Sequence, residues 1–96
     1  MRMVMISYNS AINSEVMEVL EKSGIESFTK WTPVQGKGKL SGPHFGDEIW
    51  PGENSVVFVA VGNEDAAALL ECVKGLRTKL GQEGIKAFAW SLEEVT

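Results

Sequence analysis

The chain alternates short, densely apolar stretches with stretches of helical periodicity. Arg2 to Tyr8 is apolar at nearly every position, which predicts a central strand covered on one or both faces. Asn9 to Ile12 reads as a turn. From Asn13 the spacing becomes helical, with Val16, Val19, Leu20 and Ser23 on one face. Asn13 is the predicted N-cap, because its side-chain oxygen can accept an orphan N–H of the first turn. Ile12 and Met17 stand at hydrophobic-staple positions, Glu15 suits the positive end of the helix dipole, and Gly24 is the predicted stop. Ile25 to Val34 reads as a second strand with Ile25, Phe28, Trp31 and Val34 as its larger apolar residues. Its imperfect alternation predicts a bend or bulge near Trp31-Thr32-Pro33. Ser55 to Val61, SVVFVAV, is the clearest strand. Asn63 is the predicted cap of a second helix with Glu64 and Asp65 in its first turn, followed by Ala66, Leu69, Leu70, Val73, Leu76 and Leu80 at helical spacing. Gly75 inside that helix costs up to ~1 kcal/mol relative to alanine, and close helix–sheet packing would explain it. Gly81 and Gly84 bracket a turn. Ile85 to Leu92 is the last strand, with Phe88, Trp90 and Leu92 on one face and Ile85, Ala87 and Ala89 on the other.

The order β-α-β-β-α-β predicts an α+β, ferredoxin-like fold: a four-stranded antiparallel sheet with two helices on one face and a long loop between strands 2 and 3. The 96 residues make a single domain over positions 1–96. A chain of this size buries only about 60–65% of its unfolded surface alone, and the second sheet face has no helices to cover it. Packing against other subunits is a natural solution. Trp31 and Trp90, both on predicted strands, fit core or subunit-interface packing; stacking on a nucleotide base is the sharper alternative.

Composition narrows the function. Apolar residues are 44% and charged residues 23%, ordinary for a globular domain. The longest apolar run, Val56 to Val61, has six residues, far short of the ~18–20 of a membrane span. The N-terminus lacks the basic segment and cleavage site of a signal peptide, so a cytoplasmic protein without membrane insertion is expected. A net charge of −4 gives no general attraction to nucleic acid phosphates. The single cysteine, Cys72, has no internal disulfide partner. Its neighbours Leu69, Leu70, Val73 and Leu76 predict a buried structural thiol.

The segment from Gln35 to Asn54 carries the chemistry. It holds five of the ten glycines, two of the three prolines and the only histidine, His44. A hairpin needs two to about five connecting residues, so a loop this long points to function or disorder. Leu40, Phe45, Ile49 and Trp50 are too apolar for a free linker and call for a partner. Lys37 and Lys39 alternate with Gly36 and Gly38. Glycine-rich backbone can turn several N–H groups toward an anion, and the lysines add charge. A phosphate or carboxylate ligand and a flexible, soluble hairpin explain this pattern equally well. His44, Asp47 and Glu48 have side chains that bind divalent transition metals, but one histidine with two carboxylates is weak spacing for a metal site. Ser41 and His44 lack an orienting third group, so enzyme activity is not expected.

Val34-Gln35-Gly36-Lys37-Gly38-Lys39-Leu40-Ser41-Gly42 resembles the V-x-G-x-G-x-x-x-G pattern at the base of the T-loop in PII signal-transduction proteins. Gly24-Ile25-Glu26 with Thr29, Leu76-Arg77-Thr78 and Gly84 to Glu94 are similar to other family segments, so the resemblance spans essentially the whole chain. It implies a homotrimer with clefts between subunits that bind adenine nucleotides (ATP, ADP or AMP), and a loop that docks on a target protein such as a transporter or enzyme. Carried onto this chain, the ligand-binding residues are Gln35, Gly36, Lys37, Gly38, Lys39 and Gly42, and the target-docking residues are His44, Phe45, Ile49 and Trp50. The family's glutamine is Leu40 here. Its phosphate-binding B-loop is reduced to Thr78-Lys79-Leu80-Gly81-Gln82-Glu83-Gly84, leaving Lys79 and Lys86 to substitute for the cation. A divergent PII-like regulator with no resident cofactor is the resulting expectation, its effector an adenine nucleotide or another anion. The alternatives are a metal-responsive trimer of the CutA type and a ligand-free interaction module.

Overall fold

The structure, a computed structural model, describes residues 1–37, 53–80 and 84–96. Its elements are β1 (Arg2–Asn9), a 3-10 turn (Ser10–Ile12), α1 (Asn13–Lys22), β2 (Thr29–Val34), β3 (Asn54–Val61), α2 (Asn63–Leu80) and β4 (Ile85–Ser91). The strands form one antiparallel sheet in the order β2-β3-β1-β4. The α+β, ferredoxin-like arrangement expected from the element order is the one observed.

Strand β1 lies inside the sheet, and its two sets of side chains go to opposite faces. Val4, Ile6 and Tyr8 point toward the helices and are almost fully buried. They meet Val57 and Val59 of β3, Ile85 of β4, Val16 and Leu20 of α1, and Ala66, Leu69, Val73 and Leu76 of α2 in one core. Each helix thus presents a single apolar stripe to the sheet. Strand β4 divides as its alternation predicts. Ile85 is buried and Ala87 and Ala89 pack on the core, while Phe88 and Trp90 stay exposed on the other side.

That other side has no helix. The register places Met5 between Phe58 and Phe88, and Met3 between Ala60 and Trp90. Trp31 pairs with Val56 and sets its indole edge-on to Phe58, ring centroids 5.0 Å apart at 83°. Trp31 is 56% exposed, Phe88 43% and Trp90 41%. Neither tryptophan is a core residue of the single chain. Both belong to a continuous apolar surface on the open sheet face.

Several local expectations are corrected. Asn13 does not cap α1. The capping role falls to Asn9, whose side chain accepts the Ala11 N–H at 2.8 Å and starts the 3-10 turn. Asn13 is already helical and its oxygen is used elsewhere. Strand β2 begins at Thr29 rather than Ile25, because Ile25 completes the helix stop: its N–H bonds the Leu20 carbonyl while that of Gly24 bonds Glu21. This is the paired 6→1 and 5→2 pattern that glycine permits at positive φ, here +75°. Asn63 is the first helical residue of α2, one step past the Gly62 carbonyl that accepts the Ala66 N–H. Gly75 faces open space, so packing does not explain it. Cys72 is exposed: the buried stripe of α2 runs through Leu69, Val73 and Leu76, and Cys72 falls off it. The bulge is where the pattern put it, with the β2–β3 register shifting between Trp31 and Val34.

Ile6 is 0% exposed at the centre of the core. Ile6→Ala is expected to lower the unfolding free energy by about 2–5 kcal/mol, read from the urea midpoint at unchanged m-value.

Candidate functional site

Antiparallel pairing brings the last residues of β1 and β2 and the first residues of β3 and β4 to one end of the sheet. Backbone bonds close that end: Asn9 N–H to the Gly84 carbonyl at 2.9 Å and Ser10 N–H to the Glu53 carbonyl at 2.8 Å. The last turn of α2 arrives there as well, since it leads into β4.

Gln35, Gly36 and Lys37 leave β2 at this end and are exposed. A Cβ at Gly36 would sit 3.4 Å from Nδ2 of Asn54, the first residue of β3, an ordinary contact with the neighbouring stem. Lys79 lies in the last turn of α2 and Lys86 is the second residue of β4, both exposed. Ladder pairing puts Lys86 beside Ser7 on the open face. Among the described residues the ion pairs are Lys22–Glu18 and Lys74–Glu71, so Lys37, Lys79 and Lys86 keep their charge uncommitted to a described carboxylate. The segment Gln35–Lys37 and the lysine Lys86 share one end but not one edge. Strands β3 and β1 lie between β2 and β4, three interstrand steps of about 4.8 Å, roughly 14 Å in all. One chain does not bring the two groups together. Gly38, Lys39, Gly42, His44, Phe45, Asp47, Glu48, Ile49 and Trp50 lie outside the described residues. Among the described residues no group of three His, Cys, Asp or Glu side chains is placed to hold a metal ion.

Beneath the end of β2 lies a polar cluster that periodicity and motifs did not reveal. The Asn13 side-chain oxygen accepts from the Tyr8 hydroxyl and, at 2.7 Å, from the Lys30 ammonium. A second chain runs from the Ser10 hydroxyl to Ser55 at 2.7 Å and from Ser55 to Thr32 at 2.9 Å. Ser55, 1% exposed, is the buried polar residue of the helix-facing side. Its signal was present in the sequence: it shares strand parity with Val57 and Val59, so its hydroxyl had to point inward and find a partner. Two concavities of the described surface lie elsewhere. One runs along α1 past Glu15, Glu18 and Glu21, whose carboxylates disfavour an anion; the other lies between α2 and β4 near Leu70, Lys74 and Arg77.

The similarities to known proteins are structural. No family model matches the chain, and no curated protein matches it. Solved structures do. A PII-like signalling protein of Thermus thermophilus superposes with a TM-score of 0.66 at 20% identity, covering 93% of this chain and 82% of its own. CPII of Thiomonas intermedia K12, a nitrogen regulatory PII-like protein solved with ADP, AMP and bicarbonate, gives 0.67 at 20% identity, covering 92% and 86%. Its apo form gives 0.66 at 16% identity, covering 93% and 87%. The chain has the PII-like fold. Within that fold, the end of the sheet where Gln35–Lys37 emerge is the base of the long loop between β2 and β3.

Tyr8 is the single tyrosine, and burial raises its pKa above the ordinary 10.0, with the Ser55 hydroxyl working weakly the other way. The folded state therefore holds the phenol protonated after the unfolded chain has begun to ionise. This stability is fully present below the unfolded pKa and is lost as pH rises through the folded one. Absorbance titration at 295 nm should show the native tyrosine ionising later than the urea-denatured one, with unfolding free energy falling above about pH 10.

Proposed function

We propose that this chain is a PII-like regulatory protein that binds an adenine nucleotide or another small anion in clefts between the subunits of a homotrimer and controls a target protein through its 35–54 loop. The observation that carries the reading is the split of the candidate residues. Gln35–Lys37 and Lys86 reach the same end of the sheet from opposite edges. A cleft combining them takes one edge from each of two chains. The open face supplies the reason for chains to meet, since Trp31, Phe58, Met5, Phe88, Met3 and Trp90 line it with apolar surface. Exposed aromatic surface of this kind is characteristic of interfaces.

The ligand class follows from charge. Backbone N–H groups around Gly36 with Lys37 beside them suit a phosphate or carboxylate, and Lys79 and Lys86 add cations from the facing chain. The ligands bound to CPII, namely ADP, AMP and bicarbonate, are all anions. The role is signalling rather than catalysis, exercised in the cytoplasm, with the effector setting the loop's conformation and the loop meeting a transporter or enzyme. No helix among the described residues is long and apolar enough to cross a membrane.

Light scattering should give about three times the chain mass of 10.5 kDa. Calorimetric titration should show saturable binding of ADP or AMP, weakened about three- to tenfold by Lys37→Ala, the loss of one charge-assisted contact. A monomer that binds no nucleotide at millimolar concentration would remove the reading.

A further inference from the structure

The β2–β3 register is interrupted just before Val34, the last strand residue ahead of the candidate ligand segment. Register shifts between Trp31 and Val34, so Thr32 and Pro33 have no ladder partner. A bulge of this kind bends its strand and re-aims the residues downstream of it. Without another constraint, the direction in which Gln35, Gly36 and Lys37 depart would be set only by Val34 pairing with Asn54.

Side chains supply that constraint. The Ser55 hydroxyl donates to Thr32 Oγ1 at 2.9 Å, across the bulge, and the Ser10 and Ser55 hydroxyls share a bond at 2.7 Å. Ser10 also ties down the returning stem, its N–H bonding the Glu53 carbonyl at 2.8 Å. Both stems of the loop are thereby bonded to the same 3-10 turn between β1 and α1. With Ser55 1% exposed, water does not compete for its bonds. A buried hydroxyl on a strand otherwise lined by Val57 and Val59 costs stability unless its bonds are made, and here both are. The Lys30–Asn13–Tyr8 bonds fasten the preceding part of β2 to the start of α1.

We infer that Ser10, Ser55 and Thr32 are positioning residues for ligand binding: their hydroxyl chain bridges the bulge and fixes the geometry in which Gln35, Gly36 and Lys37 face an anion. The inference rests on the effector-binding reading above. None of the three needs to touch the ligand.

The test uses the full chain, ADP as the probe, and Thr32→Val, which keeps the shape of an exposed side chain and removes the accepting hydroxyl. ADP affinity should fall about three- to tenfold, the span expected for one half-buried hydrogen bond, and Thr32→Ser should restore it to within about twofold. The amide resonances of Gly36 and Lys37 in the free protein should move in Thr32→Val and stay near wild-type positions in Thr32→Ser. Ser10→Ala, which cuts the chain at its other end, should displace the same two amides. Wild-type affinity in Thr32→Val, or a serine variant as weak as the valine one, would overturn the inference. If the wild-type protein binds no ADP, the effector reading has failed, and the amide shifts alone decide whether the hydroxyls set the segment's geometry: displaced amides support it and unmoved ones end it.

Discussion

A four-stranded sheet has two faces, and this chain supplies helices for one. The rest of the structure depends on how that asymmetry is handled. Strand β1 runs through the interior of the sheet and sends Val4, Ile6 and Tyr8 to the helices and Met3 and Met5 to the open side. Covering the first set builds the core. The second set, with Phe58, Phe88, Trp31 and Trp90, is an apolar surface that water wets at a cost of roughly 25 cal/mol per Å². The same alternation that builds the core therefore leaves the apolar face on which the proposed trimer rests.

The loop end of the sheet shows the complementary problem for polar groups. A register shift near the end of β2 leaves Thr32 and Pro33 without register partners, and side-chain hydroxyls bridge the gap. Ser55 is buried with its hydroxyl bonded on both sides, and Asn13 gives up helix capping to accept from Tyr8 and Lys30. Asn9 takes over the cap one turn earlier. This exchange follows from the requirement that buried donors and acceptors be paired. A side chain with two good uses is assigned by the partners that happen to converge on it. The candidate anion-binding segment begins three residues beyond Thr32, so this polar cluster lies beside the ladder pair Val34–Asn54 at its foot.

The similar solved structures share the fold at 15–20% identity, a level at which the sequences have largely parted while the layering persists. What they have in common with this chain is its layering: a central strand, one-sided helices and a connection between β2 and β3. Function is set by the residues placed on that frame. In this chain the candidates are Lys37, Lys79 and Lys86 as cations, with the three hydroxyls of Ser10, Ser55 and Thr32 as proposed positioning groups.

Periodicity alone determined the elements, their order and the fold class, because strand and helix patterns differ in period and Gly24 marks its boundary chemically. It also placed the bulge at Trp31-Thr32-Pro33 and divided β4 into an inner and an outer face. It failed where an outcome depends on partners distant in sequence. Cys72 sits among leucines and valines along the chain yet falls off the buried stripe of α2, because burial depends on angle around a helix and not on adjacency. Asn13 has the chemistry of a cap, but Lys30, seventeen residues away, claims its oxygen. The joining of Ser10 to Ser55 and Thr32 spans 45 and 23 positions and is visible only after the sheet has closed. Glycines and lysines after Val34 marked in sequence which residues belong to the candidate site. That Gln35–Lys37 lie across the sheet from Lys86, at the same end but the opposite edge, was decided by strand order, and strand order is a property of long-range pairing that no local pattern encodes.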